Sequence, residues 1–190
     1  VMVHKQVSTP NVLITYHVPE TKNEDYYALD VLNSILSNGK SSKLYSSLVN
    51  KNELATNVFS YMPETFDPNL FYIYGIANQD VTAFDLEQGI LKVLDDIIEH
   101  GITEKELQKV KNQKLMEFYQ TLETIDGKSN TLGTYEVYFG DYKKMYNAPA
   151  AYEKVTLADI QRVAKMYFTK KNRTVGVLQN NEPQNEEESK

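Results

Sequence analysis

Cysteine is absent from the 190 residues. That one absence removes disulfides, thiolate zinc sites and cysteine nucleophiles together, and leaves any redox compartment open. Tryptophan is absent as well, and arginine occurs only at Arg162 and Arg173, too few to build a guanidinium cluster for phosphate. The formal charge of −6 argues against a general nucleic-acid binder. No apolar run approaches the ~20 residues that a membrane-spanning helix needs. No signal peptide is visible at Val1, and the first residue is not Met. This suggests a mature product or a domain cut from something longer. A serine nucleophile elbow, a P-loop and a dinucleotide fingerprint are all missing. Asn38-Gly39-Lys40-Ser41 lacks the upstream glycine and strand of a phosphate loop and reads as a helix–helix turn.

What remains is ordinary soluble-protein composition, 41% hydrophobic and 24% charged, in a chain sized for one domain. Such a chain buries roughly 70% of its unfolded surface, enough for a sizeable core. Its three histidines are His4, His17 and His100. His17 and Glu20 flank a strand-ending proline and point to opposite faces, so they make no metal pair. His100 precedes a helix-ending glycine, where the helix dipole favours a cation. The carboxylates of Asp95, Asp96, Glu104 and Glu106 read as solvated helix faces.

The pattern along the chain begins with a β-branched strand, Asn11 to Val18, bracketed by Pro10 and Pro19. From Tyr26 to Tyr61 the sequence predicts helix, glycine turn, helix and strand. Asp25 is a candidate N-cap, Asn38-Gly39 a helix end, and Ser41 or Ser42 a second cap. Leu54 to Met62 alternates, with Thr56, Val58 and Ser60 expected on one face and Asn57, Phe59 and Tyr61 on the other. Leu70 to Ala77 alternates again, and the short connection makes the two strands antiparallel neighbours. A helix ending at His100-Gly101 follows. Thr103 with Glu106 then forms a capping box for a long polar helix, and another helical segment runs from about Lys128 to Phe139. Thr156 with Asp159 caps a last helix before a strand from Arg173 to Leu178. Tyr135, Tyr138, Tyr142 and Tyr146 would share one face if their helix ran on, as a packing stripe or a peptide-binding wall. Gly140 and Asp141 interrupt that spacing. Residues 179–190, with four glutamates and no large apolar side chain, are expected to be a disordered acidic tail on a single domain spanning residues 1–178.

Strands do not alternate singly with helices, which excludes a doubly wound sheet. The expectation is an α+β two-layer sandwich, a mostly antiparallel sheet with helices packed on one face.

Four segments resemble, in order, the second, non-catalytic domain of the M16 zinc metallopeptidases, the family of pitrilysin, insulin-degrading enzyme and mitochondrial processing peptidase. They are Val12 to Pro19, Ala28 to Tyr45, Gly101-Ile102-Thr103-Glu104-Lys105-Glu106-Leu107, and Val155 to Phe168. The family's catalytic domain carries His-x-x-Glu-His on a helix, with a further glutamate to complete the zinc site. That motif does not occur in this sequence. The resemblance therefore implies a non-catalytic, substrate-enclosing domain, inactive alone, of a zinc-dependent endopeptidase acting on peptides or unfolded segments. Zinc would sit in the catalytic domain of the parent or of a partner subunit. In several active members an arginine and, seven residues later, a tyrosine reach the substrate from this domain. The matching positions here are Val49 and Thr56, neither able to donate a cationic or phenolic hydrogen bond to a developing oxyanion. A structural or assembly subunit without peptidase activity is the alternative this departure implies. An unrelated α+β interaction domain is the reading without the resemblance.

Overall fold

The computed structural model describes residues 1–180. Five strands form one sheet in the order β1-β5-β2-β4-β3: β1 Met2–His4, β2 Asn11–Val18, β3 Ala55–Tyr61, β4 Asn69–Ala77 and β5 Arg173–Gln179. All neighbours are antiparallel except β1 with β5. The α-helices are α1 Tyr26–Ser37, α2 Ala83–His100, α3 Glu104–Thr121, α4 Ile125–Phe139, α5 Ala148–Lys154 and α6 Leu157–Tyr167. A π-helix spans Tyr45–Lys51 and a 3₁₀ turn Tyr142–Asn147. The α+β sandwich with helices on one face is thus the architecture.

The main core forms where the alternation of the strands meets the helical stripes. Val12, Ile14, Phe71 and Ile73 of the sheet are buried with Leu29, Leu32 and Leu36 of α1, Leu86, Ile90 and Ile97 of α2, and Ile160 and Val163 of α6. A second, smaller cluster joins Tyr26 to Tyr135 and Phe139 of α4, Met145 and Ala148. Capping follows the sequence at Thr103 with Glu106 and at Thr156 with Asp159, both full capping boxes. Thr82 and Thr124 cap α2 and α4 without the reciprocal bond, each hydroxyl accepting from a backbone amide, Asp85 N and Gly127 N, so α4 begins at Ile125 rather than near Lys128.

Three local expectations change. Asp25 stands at the N-cap of α1 but makes no side-chain cap bond. Its carboxylate is turned across to α6. Ser41 and Ser42 do not cap a regular helix either: the segment after them widens into the π-helix, and Ser41 Oγ instead meets the Lys109 ammonium. The tyrosine stripe is broken by Gly140 in the left-handed conformation, φ +73°. Tyr135 is 8% exposed and Tyr146 is 70% exposed.

The first strand was not legible as a strand. It lies along β5, with the Val1 amine donating to Val175 O at 2.7 Å. β5 runs through Gln179, and Asn180 Oδ1 accepts from Val7 N at 2.8 Å. The tail expected from residue 179 therefore does not start there, since Gln179 belongs to β5 and Asn180 is hydrogen-bonded to the chain's beginning; its remainder, residues 181–190, lies outside the described residues.

Candidate functional site

The junction between the π-helix and β3 is the first part of the site. Leu44 and Leu48 anchor it in the core. Its last turn closes by long-reach bonds, Asn52 N to Ser47 O at 3.0 Å and Leu54 N to Leu48 O at 2.8 Å. Glu53 between them takes φ +52°, the left-handed position normally left to glycine at a helix end. A β-bulge follows directly. Ala55 pairs Ala77 and Asn57 pairs Ile76, which makes Thr56 the extra residue. This is why Thr56 is exposed instead of sharing the inward face of Val58 and Ser60. Val49 is half-buried against the core, and Thr56 Oγ1 donates to Ile76 O at 3.4 Å. Gly89 of α2 lets the junction approach: a Cβ there would stand 2.7 Å from Leu54 Cδ1 and 2.9 Å from Leu48 Cδ2.

The second part is the sheet face that the helices leave open. Cross-strand register lines up Leu13, Tyr74 and Phe59 in one row and Thr15, Tyr72 and Tyr61 in the next. The rings of Phe59 and Tyr74 are 5.5 Å apart and those of Tyr61 and Tyr72 are 6.4 Å apart. Phe59 remains 43% and Tyr61 56% exposed. The result is an uncharged aromatic wall on the strand that carries the bulge.

A set of polar groups that the sequence did not single out lies between the helices. Asp25 accepts from Arg162 Nη2 at 2.6 Å and from Tyr167 Oη at 2.7 Å. Burial alone would raise its pKa. The hydrogen bonds from Arg162 and Tyr167 outweigh that and hold the carboxyl below its ordinary value. Asp30 accepts from Lys114 Nζ at 2.9 Å and from Tyr152 Oη at 2.7 Å. Tyr26 donates to Glu64 at 3.1 Å, and burial raises the Glu64 carboxyl and the Tyr26 phenol. These groups are mutually satisfied across α1, α3, α5 and α6, which is the signature of packing, not of a poised acid–base pair. A usable signal was present: Asp25 precedes α1 and Asp30 is the one charged residue within it.

His4, His17 and His100 are all exposed and lie on three separate elements. Among the described residues no three His, Asp or Glu side chains are grouped to hold a metal ion. This donor set does not fit a zinc site.

Fold and site together define an α+β domain with one open aromatic face. The chain belongs to the M16 peptidase family, as its inactive domain: the family described as "Peptidase M16 inactive domain" matches residues 1–114. Zinc protease PqqE of Helicobacter pylori is 32% identical over 168 residues, covering 88% of this chain and 38% of that protein. The uncharacterized zinc protease YmxG of Bacillus subtilis is 27% identical over 165 residues, covering 87% and 40% respectively. The crystal structure of a protease from Helicobacter pylori superposes with a TM-score of 0.89 at 30% identity, over 94% of this chain and 43% of that one. The chain thus spans about two-fifths of the length of these relatives. Among the described residues no helix is long and apolar enough to cross a membrane.

Proposed function

We propose that this chain is the non-catalytic, substrate-enclosing domain of a zinc-dependent endopeptidase that acts on peptides or unfolded segments. The catalytic domain, with the zinc, lies in the same parent protein or in a partner subunit. The observation that carries the reading is the one-sided sheet: an aromatic face of Leu13, Phe59, Tyr61, Tyr72 and Tyr74 stays open in a domain of the M16 family. Such a face can bound a chamber, where flat rings accept apolar side chains of an extended peptide without demanding one sequence. Val49 and Thr56 would lie where the wall meets the substrate. With no cation or phenol at either position, the domain would contribute enclosure rather than transition-state charge. The test compares the full-length parent, or the two-subunit complex, with versions lacking residues 1–180, on fluorogenic unfolded peptides. Activity that needs this domain, together with none from the domain alone, supports the reading. Cleavage by the domain alone, or undiminished cleavage without it, refutes it.

A structural or assembly subunit is the second reading, favoured by one observation: Val49 is packed on the core and the Thr56 hydroxyl is engaged with the Ile76 carbonyl. A stable, zinc-free complex without peptidase activity would establish that alternative.

A further inference from the structure

The turn that joins α1 to the π-helix carries a feature that enclosure does not use. Ser42 is 3% exposed, yet its Oγ meets no hydrogen-bond partner among the protein atoms. An orphaned buried hydroxyl is expensive, and native structures rarely keep one. Ser42 lines a cavity of about 20 Å³ bounded by Ser34 and Asn38 of the α1 end, Ser41 of the turn, and Glu106 and Lys109 of α3. A cavity needs only some 10–15 Å³ of this kind to hold one water, provided two to four polar groups face it.

We infer that this cavity binds a single structural water, held by Ser42 Oγ and the polar groups of the α1 end and α3. Charge and size select the ligand. The ammoniums of Lys43 and Lys109 oppose a bare cation: Lys109 reaches Ser41 Oγ, and Lys43 pairs Glu106 at 2.8 Å. The Glu106 carboxylate in the same wall opposes an anion. The volume admits one oxygen atom and excludes a phosphate. The bound water completes the link between the glycine turn and α3. It thereby fixes the base of the π-helix, whose far end is the Val49–Thr56 junction.

The test is crystallographic and thermodynamic. Crystals of the 190-residue chain diffracting to about 1.5 Å should show one peak of water density at hydrogen-bonding distance from Ser42 Oγ. Empty density would overturn the inference, as would an anomalous peak there after a bromide soak. Ser42→Ala should lower the folded-to-unfolded ratio about fivefold in urea titrations, because a satisfied hydroxyl is being removed. It should also speed amide exchange at residues 41–45. A rise in that ratio is the result expected of an unsatisfied hydroxyl, and it too would overturn the inference.

Discussion

Asp25→Asn separates two roles that a carboxylate at the start of a helix can play. Were Asp25 a conventional N-cap, asparagine would replace it without loss, since the two cap almost equally well. In the structure its carboxylate instead receives Arg162 at 2.6 Å and Tyr167 at 2.7 Å, and Asp25 is 5% exposed. A hydrogen bond to a charged group contributes about 1.5–3 kcal/mol. The Arg162 side chain is 45% exposed, so its share is discounted toward the ~0.2–1 kcal/mol of an exposed pair. Asparagine also turns one acceptor oxygen into an amide facing a donor. The expected loss is about 2 kcal/mol, read from urea unfolding at pH 7. The pH dependence provides a second reading. The folded pKa is depressed below its unfolded value of about 3.9. The stabilisation is therefore complete above about pH 5 and is lost as pH falls through 4 toward the folded pKa. The wild type and the variant should converge in acid. A loss under about 0.5 kcal/mol at pH 7, or a gap between the two that does not narrow in acid, would refute the assignment.

Three further outcomes are expected. Glu53→Gly should stabilise the domain by about 0.5–1 kcal/mol, measured by thermal or urea unfolding, because glycine takes φ +52° without the side-chain penalty. Gly127→Ala would place a Cβ 2.0 Å from the Thr121 carbonyl oxygen. It should cost more than about 2 kcal/mol, with hydrogen exchange rising first over α4 and the 3₁₀ turn. Phe59→Ser with Tyr61→Ser, both on the open face, should change the stability of this domain by no more than about 1 kcal/mol. The same pair should weaken its co-purification with the catalytic domain or its protection of bound peptide, and unchanged behaviour there would count against the wall.

Long periodic elements were legible from sequence because their signals were redundant. In α2 the stripe Leu86, Ile90, Leu94 and Ile97 and the terminal Gly101 all give the same answer. The box at Thr103 and Glu106 specified the start of α3 to the residue. The misses have physical causes. β1 is three residues long and is stabilised by a partner over 170 positions away, so no local pattern marks it. The π-helix and the bulge are register events. Each changes the count by one residue without changing composition, and Thr56 therefore left the face that alternation gave it. The positions of Val49 and Thr56 could be named in advance, but not that one would pack inward and the other stand on a bulge. The partners of Asp25 and Asp30 come from helices 84 to 142 positions downstream, beyond any window of sequence.

The pairing of the first strand with the last has a consequence for how such domains are joined. Because β1 is the edge strand and β5 its parallel neighbour, Val1, bonded to Val175 and Val177, and Gln179 both lie on the same side of the sheet. A polypeptide entering and leaving by the same side can be concatenated with another copy or another module without rethreading any strand. The same closeness makes the domain a candidate for circular permutation. A short linker from residue 180 to Val1, with new ends opened at the exposed Gly39–Lys40 turn, should preserve all four strand pairings.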